Sequence, residues 1–138
     1  MTMIREIIKD QNFLKIPSEP ATIEDIAIAQ DLLDTLRHHT QHCVGLAANM
    51  IGFSKRIIVI DDNGTFLLLL NPEIVKAQGS YQTEESCLSL EGSRPAKRFQ
   101  KIKVKYQNQQ FQTRFKTFEG FSAQIIQHEI DHCNGIII

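Results

Sequence analysis

The stretch Phe121-Ser122-Ala123-Gln124-Ile125-Ile126-Gln127-His128-Glu129-Ile130-Asp131-His132-Cys133 decides how this chain is read. Gly120 opens it and Asn134-Gly135 closes it, which is helix-stop chemistry. Phe121, Ala123, Ile125, Ile126 and Ile130 make it apolar on most sides, so it is predicted to be the buried helix of the domain. Within it His128-Glu129-Ile130-Asp131-His132 is an H-E-x-x-H pattern, whose i,i+4 spacing stacks two imidazoles on one face, where they can share a metal ion. Glu129 is rotated about 100° around the helix from His128. It is therefore poorly placed as a third ligand but able to reach a water held by the metal, as a general base. Burying several polar side chains without partners is costly, which argues against ordinary core histidines.

A catalytic metal site needs a third protein ligand and an open fourth position. A carboxylate or a thiolate elsewhere would serve, and Cys87 stands out in Glu84-Glu85-Ser86-Cys87-Leu88-Ser89-Leu90. Cys133 follows His132 directly, points to another side and reads as core filler. The third cysteine, Cys43, reads either as a small buried hydrophobe or as a redox-sensitive thiol near the metal. Three scattered cysteines do not make a secreted disulfide framework.

Outward from the helix, Ile102, Val104 and Tyr106 alternate with Lys101, Lys103 and Lys105, and Phe111, Thr113 and Phe115 with Gln112, Arg114 and Lys116. These read as half-buried strands paired across Asn108-Gln109-Gln110. Their basic outer face reads as a solvated surface that keeps a sheet from pairing edge to edge, rather than an RNA contact. Arg56-Ile57-Ile58-Val59-Ile60 and Thr65-Phe66-Leu67-Leu68-Leu69-Leu70 flank Asp61-Asp62-Asn63-Gly64 and read as a hairpin. Ile26, Ala29, Leu33 and Leu36 recur at helical spacing after Thr22 and Asp25, a capping-box-like start, which predicts a helix over 23–39. His38, His39 and His42 cluster at its end, where dipole contact and solvent exposure explain them better than metal binding.

With 138 residues, 42% hydrophobic, and no repeat or linker, one domain with a real core is expected over residues 1–138. A formal net charge of -1 gives no whole-chain field for nucleic acid. The longest apolar runs, such as 66–70, are far short of the roughly 18 to 20 residues that cross a bilayer. With no secretory leader at the start, the expected location is cytoplasmic.

Three segments, in this order and at these separations, together resemble the peptide deformylases: Val44-Gly45-Leu46-Ala47-Ala48, Glu85-Ser86-Cys87-Leu88-Ser89 and Gln127-His128-Glu129-Ile130-Asp131-His132. The likeness extends through Ile4-Arg5-Glu6-Ile7-Ile8, Arg56-Ile57-Ile58-Val59-Ile60, Leu70-Asn71-Pro72-Glu73-Ile74 and Asn134-Gly135, nearly the whole chain. The resemblance implies a compact α+β fold with mixed, mainly antiparallel sheets around the H-E-x-x-H helix. It implies that Cys87, His128 and His132 hold one divalent metal, ferrous iron first and zinc, nickel or cobalt as replacements, with water in the fourth place and Glu129 exchanging protons with it. The implied reaction is removal of the N-formyl group from the initiator methionine of nascent polypeptides, in proximity to the ribosome, without nucleic-acid specificity or a membrane.

The implied oxyanion donors are the Leu88 backbone N–H and a glutamine amide at the position of Met50, where a thioether cannot donate. Reduced turnover is therefore expected. Cys43 and Ser86 replace glycines of the family pattern, and Glu91 stands where proline is common. Substrate contacts are expected from backbone around Gly45, pairing the peptide as an added strand. Val44, Phe121 and Ile125 are expected to line a methionine pocket, and Ser86 is expected to be a further substrate-binding residue. Two other functions stay open: a non-catalytic metal- or peptide-binding paralogue, and a hydrolase of another N-acyl substrate.

Overall fold

The computed structural model describes residues 4–41 and 43–138. His42 of the histidine cluster lies outside them. A short helix, α1 (Gln11–Leu14), is followed by a 3-10 turn over Ile23–Asp25 that runs into α2 (Ile26–His38). The expected helix start is present: the Asp25 carboxylate accepts the Thr22 N–H at 2.8 Å. Five strands follow: β1 (Gly45–Ala47), β2 (Ile57–Asp62), β3 (Thr65–Cys87), β4 (Leu90–Gln107) and β5 (Thr113–Glu119). The chain ends in α3 (Gly120–Cys133).

The strands form one sheet in the order β1-β2-β3-β4-β5, every neighbouring pair antiparallel. A parallel bridge joins Glu19 to Lys55 outside the named strands. This is the mainly antiparallel α+β arrangement expected, realised as a single meander. The β2–β3 hairpin turns at Asn63 and Gly64, both at positive φ (53° and 94°), as a two-residue turn needs to match strand twist. The Gly64 N–H donates to the Asp61 carboxylate at 2.7 Å.

Two features of the sheet depart from the sequence reading. Phe111 belongs to the β4–β5 link rather than to the strand, at φ 59°, and β5 begins at Thr113. The lysine-rich strand β4 is paired on both sides, to β3 and to β5, so Lys101, Lys103 and Lys105 do not protect an edge. The edge strands are β1 and β5, and on β5 Arg114 and Lys116 are the charges that guard the edge.

The core gathers Leu32 and Leu36 of α2, Ile57–Ile60 of β2, Leu69 and Leu70 of β3, Ile102 and Val104 of β4, and Ala123 and Ile126 of α3. Helix α3 is buried along most of its length, as its composition requires. Phe121 is the exception to the expected buried face, standing 62% exposed at the helix start. Where β5 ends, α3 takes over the edge of β4: the Gln127 side-chain amide accepts the Phe99 N–H at 2.8 Å and donates to its carbonyl at 2.9 Å. A side chain thereby closes a ladder that no strand continues, and this anchors the helix turn ahead of His128.

Candidate metal centre and cleft

Three elements meet at one point. Helix α3 supplies His128, Glu129 and His132; the β3–β4 hairpin tip supplies Cys87; and β1 passes beside the helix at Gly45. The approach of β1 depends on glycine, since a β-carbon on Gly45 would fall 2.6 Å from Ile125 Cγ2 and 3.1 Å from Glu129 Oε2. At the hairpin tip Leu88 and Ser89 link Cys87 to Leu90 across a register shift, which turns the Cys87 side chain toward the helix. The Ser89 N–H donates to Cys87 Sγ at 3.4 Å.

The Nε2 atoms of His128 and His132 are 3.2 Å apart, and Cys87 Sγ is 3.4 Å from His132 Nε2. All three donor atoms lie within 4.8 Å of one another. A tetrahedral ion with bonds of about 2.05 Å to nitrogen and 2.3 Å to sulfur separates its ligands by about 3.3 Å (N–N) and 3.6 Å (N–S). The observed spacing fits such an ion, and two imidazoles with a thiolate suit zinc, iron, cobalt or nickel. Among the described residues no other group of this kind occurs, and His38 and His39 pack edge to face away from it, ring centroids 5.0 Å apart.

A second layer that the sequence reading missed holds this centre. His128 Nδ1 bonds Glu85 Oε1 at 2.8 Å. Arg98, 5% exposed, donates to both Glu85 oxygens at 2.9 and 2.7 Å and to Asp131 at 2.8 Å, and Gln124 donates to Glu85 Oε2 at 2.9 Å. A carboxylate behind a ligating imidazole fixes its tautomer and ring orientation. Nothing in residue spacing announced Arg98, because its partners lie 13 and 33 residues away.

The electrostatics follow from this packing. Burial would raise the Glu85 carboxyl, but hydrogen bonds from His128, Arg98 and Gln124 outweigh it and hold the group at about 2. Burial pulls His128 down, while Cys87 and Glu85 more than offset it and raise the imidazole to about 10. Burial together with the positive charge on His128 pushes His132 down to about 3, so this imidazole is neutral near pH 7. Glu129 is raised to about 7 by burial, and its Oε1 is buried without a partner beside the ligand cluster. A carboxylate that exchanges protons near neutral pH is what a general base requires.

The centre opens into a cleft of about 490 Å³. Cys43, Val44, Gly45, Met50, Ser86, Leu88, Phe121 and Ile125 border it, as do polar residues the sequence did not single out, Thr40, Gln41, Glu84 and Gln124. Ile125 is buried, and Val44 and Phe121 are exposed at the rim. Met50 is 1% exposed, and its sulfur accepts the Ala47 N–H at 3.5 Å, so its side chain brings an acceptor and no donor to the cleft. The Cys43 thiol donates to the Gly45 carbonyl at 2.9 Å. Cys133 is buried in the core, where burial pushes its thiol up to about 12.

An H-E-x-x-H helix seated in an α+β fold, facing a cysteine on a hairpin tip, places the chain among proteins built around a single metal centre. Comparison with known proteins narrows the class. The polypeptide deformylase family model matches residues 4–138, and the chain belongs to that family. It is 52% identical over 136 residues to the peptide deformylase of Clostridium beijerinckii, covering 99% of this chain and 100% of the relative. It superposes with a TM-score of 0.87 on a peptide deformylase from Legionella pneumophila, 36% identical, covering 97% of this chain and 83% of the other. The TM-score is also 0.87 for a class I type b peptide deformylase of Acinetobacter baumannii bound to Met-Ala-Ser, 28% identical, covering 97% and 96%.

Proposed function

We propose that this chain is a metal-dependent hydrolase that removes the N-formyl group from the initiator methionine of nascent polypeptides. The observation that carries the reading is the convergence of His128 Nε2, His132 Nε2 and Cys87 Sγ beside the buried, unpartnered Oε1 of Glu129. A purely structural metal site has no use for such a base. Residues 1–138 are read as one such domain.

Cys87, His128 and His132 would hold one divalent ion, Fe2+ first, with Zn2+, Ni2+ or Co2+ as alternatives. When bound, that ion supplies Lewis acidity, polarising a carbonyl and lowering the pKa of water toward neutrality. Glu129 takes the proton from the attacking water and delivers it to the departing amine as the C–N bond breaks, which yields formate and a free methionine N-terminus. The Leu88 backbone N–H is the remaining donor to the developing oxyanion, since Met50 contributes none.

On the substrate side, β1 is the outer strand of the sheet, which supports addition of the peptide as a further strand along Gly45. Val44, Phe121 and Ile125 would receive the methionine side chain, and Ser86 also lines the cleft as a further substrate contact. No helix among the described residues is long and apolar enough to cross a membrane. A cytoplasmic enzyme acting on N-formylmethionyl chains near the ribosome is the cellular setting of this reading.

The buried Met50 sulfur favours a second reading, a paralogue that binds chain termini or handles another N-acyl group. Formate release from formyl-Met-Ala-Ser by anaerobically iron- or nickel-loaded protein decides between them. Turnover that Glu129→Ala abolishes supports deformylation. Peptide binding without turnover, or faster release of acetyl than of formyl, supports the second reading.

A further inference from the structure

The charge of this chain is segregated. Residues 90–119, which span β4, β5 and the link between them, carry eight Lys and Arg against two Glu, while the remainder carries seven against fourteen Asp and Glu. The near-neutral total conceals a strongly basic hairpin joined to an acidic body.

The basic side chains are placed in register. Ile102, Val104 and Tyr106 point into the core, so Lys101, Lys103 and Lys105 stand on the opposite, solvent face at intervals of about 6.6 Å. Lys103 lies directly opposite Lys76 of β3, a like-charge cross-strand pair that disfavours the sheet. Among the described residues no carboxylate forms an ion pair with Lys76, Lys103 or Lys105, although Glu73 of β3 stands opposite Lys105 in the register, and Lys101 reaches the exposed Glu119 at 3.4 Å, which leaves four lysines against two carboxylates on this face. Phe115, 58% exposed, shares this face opposite Lys105, with the Lys103 ammonium 5.6 Å from its ring centroid. Edge protection does not account for the lysines, because β4 has a partner on each side.

We propose that the outer face of β3, β4 and β5, carrying Lys76, Lys101, Lys103, Lys105 and Phe115, binds single-stranded RNA without sequence preference. A phosphate backbone supplies the negative charge that the Lys76–Lys103 pair lacks, and Phe115 offers a ring on which a base stacks. An anionic membrane would use the charge but not an isolated ring set among Gln78, Thr117 and lysines, with no apolar segment to insert. The metal centre lies on the core side of β4, so RNA on this face leaves the cleft open.

Fluorescence anisotropy of a labelled oligouridine against the full chain tests this. Four phosphate contacts predict a log–log salt slope of about −3. Lys103→Gln with Lys105→Gln is expected to weaken binding roughly tenfold and to reduce the slope by about 1.4. Phe115→Ala weakens binding about tenfold and leaves the slope unchanged. The lysines are exposed, so the double variant is expected to keep its melting temperature and its formate release. Absence of salt-sensitive binding at low ionic strength, or binding that the double variant retains in full, overturns the proposal. So does capture by phosphatidylserine vesicles in place of RNA.

Discussion

Gly45 and Glu129 approach so closely that a β-carbon on the glycine would lie 3.1 Å from the carboxylate. The same atom would overlap Ile125 Cγ2 at 2.6 Å, a contact neither element can absorb without moving. Gly45→Ala is therefore expected to cost about 1 to 3 kcal/mol of stability. It should also lower formate release by more than the stability loss explains, because β1 and the base move together. Thermal unfolding beside single-turnover assays separates the two effects, and an alanine variant with unchanged turnover would remove Gly45 from the positioning of Glu129.

Met50→Gln replaces a buried acceptor with an amide able to donate to the oxyanion. Turnover of formyl-Met-Ala-Ser is expected to rise by about 10², while stability falls by about 1 to 3 kcal/mol if part of the amide stays unpartnered. Steady-state kinetics on metal-loaded protein check it. If both forms turn over equally, the Leu88 N–H carries the oxyanion alone.

Glu85→Gln removes the negative charge, and one of the two acceptor oxygens, that join Arg98 to His128. The substitution leaves the buried guanidinium with Asp131 as its remaining counter-charge, which should destabilise the fold by about 1 to 3 kcal/mol. Metal affinity is expected to fall 10- to 100-fold through loss of the imidazole's orientation. Competition with a chelator of known affinity measures the second effect, and unaltered affinity would show that Cys87 and the helix alone aim His128.

Cys43 borders the cleft yet should be slow to alkylate. Burial and, after it, the Glu129 charge push its thiol up to about 12, so at neutral pH almost none is thiolate, the reactive form. Iodoacetamide labelling of the folded protein is expected to keep accelerating well above pH 9, whereas an ordinary cysteine levels off near its pKa of about 8.5. Peptide mass spectrometry reads the rate. Rapid labelling at pH 7 would restore the view of Cys43 as a redox sensor.

Helix α3 was legible because its spacing, flanking glycines and apolar content agree, and the H-E-x-x-H pattern needs only helix geometry to bring two imidazoles together. The β2–β3 turn was legible for a similar reason, Asn63-Gly64 being local chemistry. The extent of β3 was not. Its outer half, from Gln78 to Glu84, is polar and solvent-facing, and it is a strand because β4 pairs with it, not because its own pattern demands one.

By itself the sequence determined the family, the buried helix and the ligand pair His128 and His132, since each rests on residues a few positions apart. Cys87 could be named from its motif, but its arrival 3.4 Å from His132 is a product of the hairpin register. Only the tertiary structure decided the roles of Glu85, Arg98 and Asp131 and the position of the lysine row on an interior strand. Ion pairing and strand order depend on contacts between distant segments, and local spacing carries no record of which segments will meet.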